Sequence, residues 1–212
     1  MTIYSLVKQS IEANIESELK NTNEMILNMV KNLAHVSIKN HLRAIADKNV
    51  EIMAYLYRNY QEGTVSRAEI FWQIRNILTS QIIGKTGYIY CINSQGTVTF
   101  HPNKQLEHTN VIQYDFVKEQ VRRKEGYLEY QWKNPGETAE RPKALYMSYF
   151  KPLDWIVSVS SYRNEFDELI ELTDFSDDIL SLRFGETGYA YVVDIKGGII
   201  DNHIKGQQHH PF

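Results

Sequence analysis

Gly84-Lys85-Thr86-Gly87-Tyr88-Ile89-Tyr90-Cys91-Ile92-Asn93-Ser94-Gln95-Gly96 recurs without a gap as Gly185-Glu186-Thr187-Gly188-Tyr189-Ala190-Tyr191-Val192-Val193-Asp194-Ile195-Lys196-Gly197. Six of the thirteen positions are identical, and Ile92/Val193 and Asn93/Asp194 are conservative. The aromatic and aliphatic residues at alternate positions predict a strand over 88–92. The polar residues running into Gly96 predict a hairpin turn at 93–96, with a returning strand over 97–101. An offset of 101 residues is the size of a domain, not of a solenoid repeat, so the chain reads as tandem copies of one module. It ends 15 residues after Gly197, too soon to complete a second module, which predicts a piece of a longer protein.

Working outward, residues 1–60 contain no Gly or Pro, and their apolar residues recur in steps of three, four and seven. They predict one long helix, with a possible break at Asn21-Thr22-Asn23. Such a helix is about 90 Å long at ~1.5 Å per residue, more than a small domain covers, so its first two dozen residues are expected to form a homodimer seam. Gln61-Glu62-Gly63 ends it. Ser66, with Glu69 three residues on, predicts the start of a second helix running to about Ser80. Downstream, 113–124 predicts a short helix closed by Gly126, and strands are expected over 127–132, 144–150 and 155–161. The Pro- and Gly-bearing loop 133–142 and the turn at Lys151-Pro152-Leu153-Asp154 separate them. The fold class is therefore α+β: a long N-terminal helix, then a five-stranded antiparallel sheet with helices on one face. Four segments follow: the helix 1–60, a first module 61–163, a linker helix 164–180 and the start of a second module 181–212.

Composition excludes several functions. The net charge of −3 argues against a nucleic-acid binder. The basic run Arg122-Arg123-Lys124 suits the end of a helix. One cysteine, Cys91, rules out an internal disulfide or a multi-thiolate metal site, and its apolar strand makes it a small buried hydrophobe. No P-loop, nucleophile elbow or His-Glu-x-x-His motif is present, and His108, His209 and His210 lack partners at metal spacing. No catalytic residue, metal or cofactor is expected. No stretch has the roughly 20 apolar residues of a membrane span, so any membrane segment is expected outside this sequence.

Gly84-Lys-Thr-Gly-Tyr-Ile-Tyr90 with Gly96 and His101-Pro102 resembles the first hairpin of Cache domains. Gly126-Tyr-Leu-Glu-Tyr-Gln-Trp132, Pro142-Lys143-Ala-Leu-Tyr146 and Phe150-Lys-Pro-Leu-Asp-Trp155-Ile-Val resemble the later strands of that family. The resemblance covers residues 40–165 in order, and the second hairpin suggests the double-Cache arrangement, although that copy carries Asn202-His203 in place of His101-Pro102. It implies a PAS-like, extracytoplasmic ligand sensor of a membrane-bound signalling receptor: a histidine kinase, chemoreceptor or cyclic-dinucleotide enzyme.

The binding residues follow from strand parity together with that resemblance. Tyr88 and Tyr90 share one sheet face, as do Leu128, Tyr130 and Trp132. Tyrosine numbers 14 of 212 residues, and a phenol joins an apolar body to a polar tip, which suits a small polar ligand. The resemblance implies that His101 stands at the pocket mouth and that Lys143 supplies a cation to an anionic ligand. Tyr146 and Ser148 are expected to donate hydroxyls to that ligand, with Tyr90, Tyr130 and Trp132 as walls. The expected ligand is a short organic acid, with amino acids second, and the loop 133–142 is expected to close over it. The competing reading is a structural or protein-interaction ectodomain with a vestigial pocket, dimerising through its long helix. Converging Lys143, His101 and two tyrosines would favour sensing; an apolar-filled sheet face would favour the alternative.

Overall fold

The computed structural model describes residues 3–134 and 136–169, with the short strands Arg183–Phe184, Gly188–Tyr189, Val192–Val193 and Ile199–Asp201. These residues fall into two compact units. One is His35–Leu169; the other combines the first helix up to Ala34 with the strands beyond residue 182. The elements are α1 (Ile3–Gln61), α2 (Arg67–Thr79), β1 (Tyr88–Ile92), β2 (Val98–Phe100), α3 (Asp115–Arg123), β3 (Gly126–Trp132), β4 (Arg141–Phe150) and β5 (Trp155–Tyr162).

Helix α1 is continuous, and the break expected at Asn21-Thr22-Asn23 does not occur. Thr22 Oγ1 donates to the Glu18 carbonyl at 2.8 Å, so its hydroxyl is satisfied within the helix. Within the larger unit, α1 buries Ile38, Leu42, Ala46, Asn49, Met53 and Leu56, the three- and four-residue steps of one helical face. Ser66 caps α2 as expected, its Oγ accepting the Glu69 N–H at 3.1 Å. Helix α1 is pinned to the residues just past the end of α2 by a reciprocal amide pair. Asn49 Nδ2 donates to Gln81 Oε1 at 2.9 Å and Gln81 Nε2 to Asn49 Oδ1 at 2.7 Å, which lets the buried Asn49 side chain sit in the core at little penalty.

The sheet is five-stranded and antiparallel in the order β2-β1-β5-β4-β3, so β5 is central and β3 is an edge. Its two faces carry different cores. Ile89, Cys91, Phe100, Ala144, Tyr146, Phe150, Val157 and Val159 pack with α1 and α2. Tyr90, Ile92, Val98, Leu145, Met147 and Ile156 pack with Val117, Phe116 and Val121 of α3. One expectation is corrected here: α3 lies on the face opposite α1 and α2. Helix α3 ends earlier than Gly126, at Lys124 in the left-handed conformation with φ 60°, its N–H donating to the Gln120 carbonyl at 2.8 Å.

The duplicated stretch owes its glycines to geometry. A Cβ on Gly87 would lie 2.4 Å from the Ile83 and Ser160 carbonyl oxygens and from Ser161 Cβ. Gly84 has φ +63°, where L side chains are strained. Glu165 closes this turn, accepting the Lys85 and Thr86 N–H groups at 3.0 and 2.9 Å. In the smaller unit the second copy repeats the pairing of the first. Phe184 pairs with Gly188 as Ile83 does with Gly87, and Val192 and Val193 pair with Asp201 and Ile199 as Cys91 and Ile92 do with Phe100 and Val98. Even the register shift between the two partners recurs. Of the expected linker helix, Arg163–Leu169 is a 3-10 turn; the remainder, like Asn202-His203, lies outside the described residues. No helix among the described residues is long and apolar enough to cross a membrane.

Candidate functional site

Antiparallel pairing puts Tyr130 opposite Lys143 and Lys143 opposite Tyr162, while Tyr88 and Tyr90 face Ser160 and Ser158 on β5. Cross-strand partners share a face, so these side chains all emerge beneath α3. A cavity of about 60 Å³ opens there, walled on the sheet side by Tyr88, Tyr90, Val98, Tyr130 and Trp132. His101, Leu106 and Val111 close it from the loop after β2, and Tyr114, Phe116 and Val117 from the start of α3. The cover is thus the segment 101–117, not the loop 133–142 expected from sequence. That loop is anchored by Asn134, whose N–H donates to Tyr162 Oη at 2.9 Å and Glu137 Oε2 at 2.8 Å, and by Glu137, which pairs with Arg141.

Rings supply the rigidity. Phe116 stacks on Tyr130 with centroids 4.0 Å apart, and Trp132 meets Tyr114 and Phe116 edge-on at 5.5 Å. Behind them Tyr90 donates to Gln120 Oε1 at 3.0 Å, and Gln120 Nε2 donates to Ser158 Oγ at 2.5 Å, all within the buried layer. Burial pushes the Tyr90 and Tyr130 phenols well up, so both stay neutral. Trp132 Nε1 is buried without a hydrogen-bond partner, a deficit that native interiors rarely tolerate unless something else fills it.

His101 Nδ1 accepts the Asn103 N–H at 2.9 Å, so the neutral ring carries its proton on Nε2 as a donor. Burial, and then the Lys143 charge, lower its pKa to about 4. Lys143 is fully buried, at 0 % exposure. Its ammonium lies 4.1 Å from the Tyr88 ring centroid and 5.2 Å from that of Tyr162, with one long hydrogen bond, 3.4 Å, to Asn134 Oδ1. Among the described residues no carboxylate comes within ion-pair range of it. Burial brings its pKa down to about 8, against the opposing pull of Glu137 and Glu165.

Of the seven residues singled out from sequence, Tyr90, His101, Tyr130 and Trp132 line one cavity, and Lys143 lies on the same face behind Tyr88. Tyr146 and Ser148 are corrected: they project from the opposite face. Ser148 donates to Asp47 Oδ1 of α1 at 2.7 Å, and Tyr146 packs in the helix-side core. The reason is parity, because three and five residues from Lys143 is an odd step along a strand. Sequence reasoning placed Tyr88 on the correct face but gave it no role, and it missed α3 as a cover. The run Tyr114-Asp115-Phe116-Val117, an aromatic-rich helix start, was the available signal. No cluster of metal-ligating side chains occurs among the described residues.

A five-stranded 2-1-5-4-3 sheet with a long leading helix and an aromatic cavity under a short helix defines a PAS-like sensor module. The dCache_2 family model, a Cache domain, matches residues 2–209, and the chain belongs to that family. Similar folds occur in a periplasmic sensor domain of a chemotaxis protein (20% identity, TM-score 0.53, 60% of this chain and 96% of that one) and in a methyl-accepting chemotaxis protein from Vibrio parahaemolyticus (21%, 0.53, 68% and 97%). A third is a Cache chemosensory domain solved for carboxylic acid recognition (17%, 0.51, 58% and 91%).

Proposed function

We propose that this Cache domain is the extracytoplasmic ligand-binding part of a membrane-bound signalling receptor and that the cavity beneath α3 takes a small organic carboxylate. The observation that carries this reading is Lys143, a fully buried cation with no carboxylate in ion-pair range among the described residues, beside a cavity lined by Trp132, whose buried indole N–H is unpartnered. Burying a charge without a counter-ion is unfavourable unless something supplies one, and a ligand carboxylate would do so. His101 Nε2–H and Trp132 Nε1–H provide neutral donors for its oxygens, and the aromatic walls receive a short alkyl tail. Amino acids rank second, since the cavity lining has no acidic residue to pair an ammonium. A solved relative concerned with carboxylic acid recognition makes acids the first class to try. Native mass spectrometry of gently purified protein, with calorimetric titration of acetate, propionate and butyrate, tests the proposal. Saturable binding of at least one acid is expected; no bound mass and no heat from any of them would refute it.

The binding should depend on pH in one direction. Short carboxylic acids, with pKa about 4–5, are ionised above pH 6, and His101 is neutral throughout. Of His101 and Lys143, it is Lys143 whose charge changes near neutrality. Affinity is therefore expected to be flat from pH 6 to 7.5. Above about 8 it should fall by up to tenfold per pH unit, as the ammonium loses its proton in the free protein. A rise in affinity over that range would exclude Lys143 as the partner.

The homodimer reading has its own support. In the smaller unit, α1 exposes Ile3, Leu6, Val7, Ile11, Ile15 and Leu19, spaced as one helical stripe. We propose that this stripe packs on its copy in a second chain. Sedimentation should show a dimer that Leu6→Asp with Ile11→Asp converts to monomer; a monomeric wild type would contradict it.

A further inference from the structure

Tyr88 occupies a position that no other tyrosine of this face shares. It lines the cavity, which Lys143 does not, yet the Lys143 ammonium sits 4.1 Å from its ring centroid. The ring therefore stands at the boundary between the cavity and the charge, and its π face does for the ammonium what an anion would do. The phenols around it are tied down. Tyr90 donates to Gln120, and Tyr162 donates to Glu137 while accepting from the Asn134 N–H. Tyr130 is stacked on Phe116. The Tyr88 hydroxyl makes no hydrogen bond among the described residues, so turning the ring gives up its contacts with His101, edge-on at 5.0 Å, and Tyr90, at 6.1 Å, but no hydrogen bond.

We infer that Tyr88 is the gate and the size selector of this site, an inference that rests on the carboxylate reading above. In the described state the gate is shut: the Tyr88 ring is the partner of the ammonium and stands between it and the cavity. An entering carboxylate displaces the ring as the partner of Lys143. The side chain turns away, and the cavity joins the space above the ammonium. The volume that the turned ring still occupies limits the acid to a short one. Tyr88 thus chooses among acids by length, while Lys143 chooses acids over neutral molecules.

Two readouts test this. The first is calorimetry with acetate, propionate, butyrate and benzoate on wild type and Tyr88→Ala. Removing the ring is expected to strengthen butyrate and benzoate at least tenfold relative to acetate; an unchanged order of preference would overturn the gate. The second needs only the wild type. Its Lys143 ε-methylene protons should be shifted upfield by the Tyr88 ring current and return toward ordinary values on saturation with acetate or propionate. An ε-methylene signal that ignores a bound acid overturns the gate while leaving the carboxylate reading intact. If no acid in the series binds the wild type, the carboxylate reading and the gate fall together.

Discussion

Lys143→Met is expected to raise the midpoint of denaturant unfolding at pH 7 while abolishing the response to short carboxylates. The lysine pKa falls from 10.5 to about 8 on folding. At ~1.4 kcal/mol per unit, that makes the charged form about 3 kcal/mol worse off in the folded protein. An apolar side chain of similar length should regain part of this, about 1–2 kcal/mol, in line with other buried charges replaced by hydrophobes. The sign with pH follows. The folded pKa lies below the unfolded one, so the penalty is complete below about pH 8. It fades as pH rises towards 10.5, because the unfolded chain holds the extra proton in that window. The advantage of the methionine variant should accordingly shrink between pH 8 and 10.5. Urea melts at pH 7 and pH 10 check this; a less stable variant at pH 7 would mean that Lys143 serves the fold and not a ligand.

Gly87→Ala is expected to be the most damaging single methyl in the first module. The added carbon would meet two backbone carbonyl oxygens and a β-carbon at 2.4 Å, and neither the Ile83–Gly87 bridge nor the central strand β5 can retreat without losing hydrogen bonds. A loss of about 3–5 kcal/mol is expected, a large share of the ~5–15 kcal/mol that holds an ordinary domain together. At about 2–4 °C per kcal/mol the melting midpoint should drop by roughly 6–20 °C. A change within 1 kcal/mol in chemical denaturation would show that the turn opens more freely than its packing indicates.

Much of this architecture was legible in the residues. The Gly-x-Thr-Gly-Tyr stretch announces its own repetition, and the pairing of the two hairpins agrees down to the register shift beside Cys91 and Val192. Helix α1 could be read from spacing because nothing in it breaks a helix. Strand parity was sufficient to gather Tyr88, Tyr90, Tyr130 and Trp132. It was misapplied at Tyr146 and Ser148, where an odd step from Lys143 turns the side chain to the other face. The position of α3 was harder. A short amphipathic helix fits either face of a sheet, and what holds it here is a set of long-range contacts, Tyr90 with Gln120 and Phe116 with Tyr130, that adjacent residues do not encode. The depth of Lys143 was similarly hidden. A lysine after a proline reads as a strand edge until its neighbours Tyr130 and Tyr162 are seen to close around it.

The central claim is that an acid binds in the aromatic cavity beside Lys143. Intermolecular nuclear Overhauser effects from the methyl group of ¹³C-labelled propionate test it most directly. The account predicts cross-peaks to Val98, Tyr130 and Trp132, with loss of the upfield shift on the lysine ε-methylene. Cross-peaks confined to residues outside that cavity, such as Tyr57 and Phe150 on the helix side of the sheet, would contradict it.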